Sequence, residues 1–302
     1  MSALAINFWD KCSNRCIFCF CKEHDLLSEE LVPPSISSLK EIGKALIEHK
    51  GQCDWVIFSG NEPTLNPDLL VAIMLAKKIG YKVDLRTNGR KLKDRTFCRK
   101  LLKVGIDRVN ISLLSFDYKT HDLLSNAAGA FDETVAGIKN LVSLWDPEKI
   151  CIYNVVTKYN YKHLKKSVAF YHDLGIKDIQ FNFVYHTDKK ITPALSDLEK
   201  KLQVAITSAI NFGIKARVYG FPLCFLGRNY KLASELSTSN EVVLGNRITD
   251  YETVRTNFGK KKTSYCAGCS LGDVCEGTWK SYYRIYGEEE FKDKKNKIIS
   301  LS

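Results

Sequence analysis

The chain has 302 residues and no hydrophobic run long enough to cross a bilayer; the longest clear one is "LLVAIMLA" at 69–76. Its first residues, "MSALAINFWDK", lack the basic-then-apolar layout of a secretory signal. These two absences predict a cytoplasmic protein with no membrane partner. No internal repeat appears beyond a strand–helix unit, and no low-complexity linker. The chain therefore reads as one large domain, or a domain with an appendage. No arginine-rich or aromatic-interleaved stripe stands out, which counts against a nucleic-acid surface. A formal net charge of +11, carried mostly by lysines, keeps an acidic partner in view.

Apolar residues make up 45% of the chain, enough for a sizeable core. Eleven cysteines are present, an odd number and a clustered one. That suits metal ligation better than a disulfide framework. Cys53, Cys98 and Cys151 stand alone in apolar segments and read as small buried hydrophobes.

Strands and helices alternate. "ALAINFW" (3–9) and "DWVIFSG" (54–60) read as strands. "ISSLKEIGKALIEH" (36–49) has apolar residues at helical spacing. A helix is expected over 66–80, capped by Asn66 and ended by Gly80. Strands "YKVDLRT", "DRVNISLL", "KICIYNVVT" and "KDIQFNFVY" follow, each but the last leading to a helix; a loop is expected between the fourth strand and its helix. Six strands at mostly 25–30 residues per unit predict a parallel α/β fold, two units short of a full barrel. Right-handed crossovers put the loops after the strands on one rim, where ligands sit. Beyond about residue 190 the rhythm weakens. One more helix, "PALSDLEKKLQVAITSAINFG", precedes "IKARVYGFPLCFLG", a polar stretch of poor periodicity (230–262) and a second cysteine group. The expected division is a core over 1–190 and a cysteine-rich extension over 191–302. The tail "EEEFKDKKNK" reads as solvated.

In "KCSNRCIFCFCKEHD" (11–25), Cys12, Cys16 and Cys19 are spaced C-x-x-x-C-x-x-C, with Cys21 two residues further on. Structural zinc wants four ligands, usually in two pairs; Cys21 could close such a site but leaves no second pair. An iron–sulfur cubane normally takes four thiolates. With three, one iron keeps an open position, where metal chemistry happens.

The motif "CSNRCIFC" with Phe18 before the third cysteine, the turn "FSGNEPTLNP", "RTNG" after the third strand and "ISL" on the fourth resemble the radical S-adenosylmethionine (SAM) superfamily. The resemblance covers roughly residues 4–185, plus the C-terminal cysteines. It implies an α/β fold, a partial (β/α)6 TIM-like barrel with a small C-terminal cysteine-rich extension. It implies a [4Fe–4S] cluster on Cys12, Cys16 and Cys19, and SAM as co-substrate. Gly60, Asn61, Glu62 and Pro63 would meet the methionine amino group, and the backbone beside Phe18 the adenine. Ser112, Asn88 and Thr157 would lie near the ribose or carboxylate. The family usually has Gly-Gly-Glu-Pro; here the second glycine is Asn61. Asparagine tolerates positive φ, so the turn is expected to survive.

Cys266, Cys269 and Cys275 form a second set, with Gly268, Gly272 and Gly277 around them and Cys224 as the candidate fourth ligand. This resembles the twitch or SPASM extensions and implies a second cubane, with structural zinc as the alternative. Two thiolate-held clusters would lower the holoprotein charge to roughly +8. The resemblance points to a peptide maturase of the kind that modifies ribosomal peptides. Small-molecule dehydrogenases or epimerases and RNA-modifying enzymes of the superfamily are the alternatives. An electron donor such as flavodoxin or ferredoxin is expected. The first strand starts almost at Met1, so no N-terminal peptide-recognition domain is expected. Cys21, Asp10, Arg86, Tyr185 and His186 fall near the rim, and none is singled out as acid or base.

Overall fold

A computed structural model describes residues 2–19, 38–237, 241–244 and 248–294. Its centre is one nine-stranded sheet. Seven strands run parallel and in chain order: β1 (Ala3–Trp9), β2 (Trp55–Gly60), β3 (Lys82–Thr87), β4 (Arg108–Ser112), β5 (Ile150–Val156), β6 (Asp178–Phe183) and β7 (Lys215–Tyr219). The helices between them are α1 (Leu39–Glu48), α2 (Leu69–Ile79), α3 (Arg95–Lys103), α4 (Tyr118–Ser125), α5 (Ala130–Leu144), α6 (Leu164–Asp173) and α7 (Leu195–Asn211). β8 (Glu241–Leu244) pairs parallel with β1 on its far side, and β9 (Ile248–Asp250) pairs antiparallel with β8. The sheet order therefore ends at β7 and β9, and the sheet does not close on itself. This is the α/β, partial-barrel fold expected. Among the described residues no helix is long and apolar enough to cross a membrane.

Alternation along each strand sorts side chains between two environments. Leu4, Ile6 and Phe8 of β1, Val83 and Leu85 of β3, and Ile150, Ile152 and Val156 of β5 join the large apolar core with the helices. The intervening positions face a cavity. Residues of all seven parallel strands line it, from Ala3 on β1 to Tyr219 on β7. A flat sheet could not do this, so the sheet is curled around its own interior.

Four sequence expectations need correcting. The rhythm does not stop at six strands: α7 and β7 continue it past residue 190 to Tyr219. β7 was hidden because "KARVY" sends polar Arg217 and Tyr219 inward and leaves only Ala216 and Val218 for the core. The expected loop after β4 contains α4, started by Asp117, whose carboxylate accepts from the Thr120 amide at 2.9 Å. Asn66 does not cap α2 directly; it accepts from the Asp68 amide at 2.9 Å, and Asp68 is the N-cap. The stretch of poor periodicity holds β8, β9 and a short α8 (Tyr251–Val254). The expectation that Gly80 ends α2 holds, with the glycine left-handed at φ 97°. A small antiparallel ribbon, β10 (Lys260–Lys261) with β11 (Thr278–Trp279), brackets the last cysteines, and α9 (Lys280–Tyr286) follows.

Candidate functional site

The loop leaving β1 carries Cys12, Cys16 and Cys19, and three neighbours fix its path. The amides of Arg15 and Ile17 donate to the carbonyls of Ser125 (2.9 Å) and Leu124 (3.0 Å), at the end of α4. Carbonyls there have no partner within the helix, so the loop satisfies them. Arg90 donates to the Ser13 carbonyl at 2.6 Å and the Asn14 side chain at 3.0 Å, while its Nε pairs with Glu133 at 2.6 Å. Asn88 donates to Ser13 Oγ at 3.0 Å and to Cys12 Sγ at 3.8 Å, and the Asn14 amide donates to the same sulfur at 3.4 Å. Burial pushes the Cys12 thiol up, and these two donors pull it back toward the thiolate.

The turn after β2 locks onto this loop. The amides of Asn61 and Glu62 donate to the carbonyls of Trp9 (3.2 Å) and Lys11 (3.0 Å). Gly60 has φ +112°, and a Cβ there would lie 2.3 Å from Asn7 Oδ1 and 3.3 Å or less from the Trp9 and Phe8 backbone. Only glycine fits. Asn61 needs no such licence: among the described residues Asn126 is the only non-glycine with positive φ. The departure at the second glycine therefore asks nothing unusual of Asn61. Glu62 is fully buried; it accepts from the amides of Thr64 (3.1 Å) and Asn88 (2.7 Å) and the hydroxyls of Thr64 (2.5 Å) and Thr87 (2.6 Å). Burial raises its pKa, and the four donors oppose that rise. Glu62 thus ties the turn after β2 to the turn after β3, which in turn holds Cys12.

Cys16, Phe18, Cys19 and Gly60 meet on the wall of a cavity of about 410 Å³. Below them it is lined by Asp84 and Arg86 (β3), Arg108 (β4), Tyr153 (β5), Gln180 (β6) and Arg217 (β7). Trp279 closes one side, edge-on to Tyr185 at 5.1 Å. Of the other residues expected near SAM, Glu62 and Pro63 are buried within the turn and Asn61 is half-buried on it. Asn88 supports the cysteine loop. Ser112 ends β4, paired in register with Tyr153. Thr157 is fully buried and its hydroxyl bonds Asn160 at 3.2 Å. None of these six lines the cavity. Sequence reasoning missed Asp84, Arg108, Tyr153, Gln180, Arg217 and Trp279 as wall residues. The available signal was a polar residue at every second position of "KVDLRT" and "KARVY". Cys21 lies outside the described residues.

The profile of the radical SAM superfamily matches residues 6–171, spanning the cysteine loop, both turns and the first five strands. The chain belongs to the radical SAM superfamily. A probable GTP 3′,8-cyclase of Sulfurisphaera tokodaii is 33% identical over 178 residues, 58% of this chain and 54% of that protein. The Fe-coproporphyrin III synthase of Methanosarcina barkeri is 32% identical over 136 residues, 44% of this chain and 32% of that one. The chain thus spans about half the length, or less, of these curated relatives. Two solved structures share the fold. Streptococcus suis SuiB bound to S-adenosylmethionine has TM-score 0.67 at 18% identity, covering 92% of this chain and 73% of that one. Native anSMEcpe with bound AdoMet has TM-score 0.69 at 16% identity, covering 99% and 98%.

Radical SAM membership implies a [4Fe–4S] cluster and SAM. The residues fit both. Three cysteines share one loop, two of their side chains face the cavity, and donors are placed to stabilise a thiolate at the third.

The second cysteine set also comes together. Cys224, Cys266, Cys269 and Cys275 line one small cavity with Leu271, Thr278 and Phe291. Burial pushes the Cys224 thiol up, and the three nearby cysteines push it further. Gly277 is required: a Cβ there would meet the Lys261 carbonyl oxygen at 2.1 Å. Its amide donates to Cys275 Sγ at 3.4 Å.

Proposed function

We propose that this radical SAM protein takes a hydrogen atom from a substrate seated in the barrel cavity. Cys12, Cys16 and Cys19 would hold the [4Fe–4S] cluster, with Phe18 and the Gly60–Pro63 turn beside SAM. When bound, the cluster supplies the electron that splits the sulfonium of SAM and yields a 5′-deoxyadenosyl radical. The observation that carries this reading is that Cys16, Cys19, Phe18 and Gly60 share one cavity wall, above a space lined by all seven strands. The chain's own part is to hold the thiolates, orient the co-substrate and keep bulk water out with Trp279 and Tyr185.

Cys224, Cys266, Cys269 and Cys275 would hold a second [4Fe–4S] cluster in a twitch-like extension. Closed by four thiolates, such a cluster suits electron transfer rather than substrate binding. The reaction would then be an oxidation or cross-link on a peptide, with electrons exchanged with a flavodoxin or ferredoxin. Support for a peptide comes from the breadth of the fold likeness to SuiB and anSMEcpe, whose structures include a bound precursor peptide SuiA and a bound Cp18Cys peptide. A small-molecule substrate is the second reading, favoured by the arginines in the cavity and by the curated relatives.

Anaerobic reconstitution with SAM and a strong reductant tests this. The expected result is about eight irons per chain, if both sites are cubanes, and 5′-deoxyadenosine. A Cys16→Ala variant that still formed 5′-deoxyadenosine would sink the assignment.

A further inference from the structure

Asn88 sits buried in the turn after β3, and contacts on four sides fix it. Its amide donates to Glu62 Oε2 at 2.7 Å, and its carbonyl accepts from the Thr134 hydroxyl of α5 at 2.9 Å. Its side-chain Oδ1 accepts from the Arg90 amide at 3.0 Å, and its Nδ2 donates to Ser13 Oγ at 3.0 Å. A backbone N–H can only donate, so the atom facing Arg90 is the oxygen. The other end of the amide, the NH2 group, is therefore the end turned to the cysteine loop. It carries two hydrogens. Ser13 Oγ takes one, and Cys12 Sγ, at 3.8 Å, lies in reach of the second.

The turn itself does not need that second hydrogen. An aspartate or a serine would cap the Arg90 amide equally well. What an asparagine adds at this place is a neutral donor beside a ligand sulfur. Cys12 Sγ also accepts from the Asn14 amide, at 3.4 Å, but that donor belongs to the cysteine loop and moves with it. The Asn88 donor belongs to the sheet. Donors to a thiolate that carries part of a cluster's charge favour the reduced state, because reduction adds negative charge there. In a buried place the effect is stronger than in water.

We propose that Asn88 sets the reduction potential of the cluster on the first cysteine loop, raising it through the side-chain amide turned toward Cys12 Sγ. This rests on the assignment of Cys12, Cys16 and Cys19 as the cluster's ligands. It gives Asn88 a part in the electron-transfer step that is separate from any contact with SAM.

A redox titration of the reconstituted holoenzyme, followed by electron paramagnetic resonance, tests it. The relevant signal is the one that changes when SAM is added and is lost in Cys16→Ala. Asn88→Ser keeps an acceptor for the Arg90 amide and withdraws the donor from Cys12. It is expected to lower the constant for one-electron reduction at least three-fold, about 28 mV at about 59 mV per ten-fold. Asn88→Asp offers the sulfur only acceptors and is expected to lower it further. Ser13→Ala leaves the donor to Cys12 in place and is expected to change the constant less than 1.5-fold. In the unmodified protein, asparagine labelled with 15N in the side chain alone is expected to give a nitrogen coupling on the reduced signal, and N88S to remove it. Absence of that coupling from the unmodified protein overturns the inference, whether or not any variant loads iron. So does lower iron content in N88S with an unchanged potential in the loaded fraction, which marks a purely structural role. An equal shift in N88S and S13A also overturns it, since loop movement alone would then explain both. If no signal of the unmodified protein responds to SAM, the ligand assignment itself fails; a responsive signal whose potential ignores Asn88 removes this inference alone.

Discussion

Gly60 and Asn61 are adjacent on one turn, yet the backbone asks opposite things of them. At Gly60 an added Cβ meets both a side chain and the backbone of β1, at a φ that L residues avoid. At Asn61 the φ is ordinary. Gly60→Ala is therefore expected to cost about 2–3 kcal/mol, read as a fall of roughly 4–10 °C in melting temperature. It should also reduce 5′-deoxyadenosine formation at least ten-fold. Asn61→Gly, which restores the family's usual pair, should change stability by less than about 1 kcal/mol. Thermal melts and product assays on the two variants check this; equal damage at both positions would contradict the geometry. The need for glycine at 60 was legible in the motif. The work of Glu62 was not, because its four partners come from two turns that only the folded sheet brings together.

At the scale of elements, α4 explains how the cysteine loop is held. Its final carbonyls receive the amides of Arg15 and Ile17, and its His121 is almost wholly buried, with Nδ1 accepting from the Leu114 amide at 3.2 Å. Burial lowers the His121 pKa from 6.5 to about 4. The folded state thus holds the ring neutral, while the unfolded chain gains a proton below about pH 6.5. Stability is full above that pH and falls as pH drops from about 6.5 to about 4, by roughly 3 kcal/mol at most. The melting temperature of the unmodified protein should fall between pH 7.5 and 5, and His121→Gln should flatten that slope. A variant with the same slope would remove His121 from the account. The helix was read as loop because only His121, Leu124 and Ser125 of its eight residues are buried. β1 and β2, by contrast, were legible nearly to the residue, since a short, mostly apolar run between polar ends admits little else. β7 was obscured by the very residues that line the cavity.

At the scale of the whole molecule, two cysteine groups more than 200 positions apart serve two separate cavities. Losing one should spare the other. Cys269→Ala is expected to lower iron from about eight to about four per chain, while the reduced protein still forms 5′-deoxyadenosine in the absence of substrate. Iron analysis beside the nucleoside assay checks this; full loss of both would tie the two sites into one cooperative unit. Both groups were visible in sequence spacing, and Cys53, Cys98 and Cys151 were correctly set aside as buried. The interior charge was not visible, because Arg86, Arg108 and Arg217 come from three strands and meet only when the sheet curls.

The partition between those cavities is thin. Gly277 and Thr278 border the thiol-lined space, while Trp279, the next residue, borders the barrel interior. Its indole is buried, and Gly220 must lack a side chain to admit it: a Cβ there would stand 2.9 Å from Nε1. With the other three tryptophans (Trp9, Trp55 and Trp145) replaced, that single fluorophore becomes an internal light meter, dimmed from either side by whichever chamber is loaded with an absorbing guest.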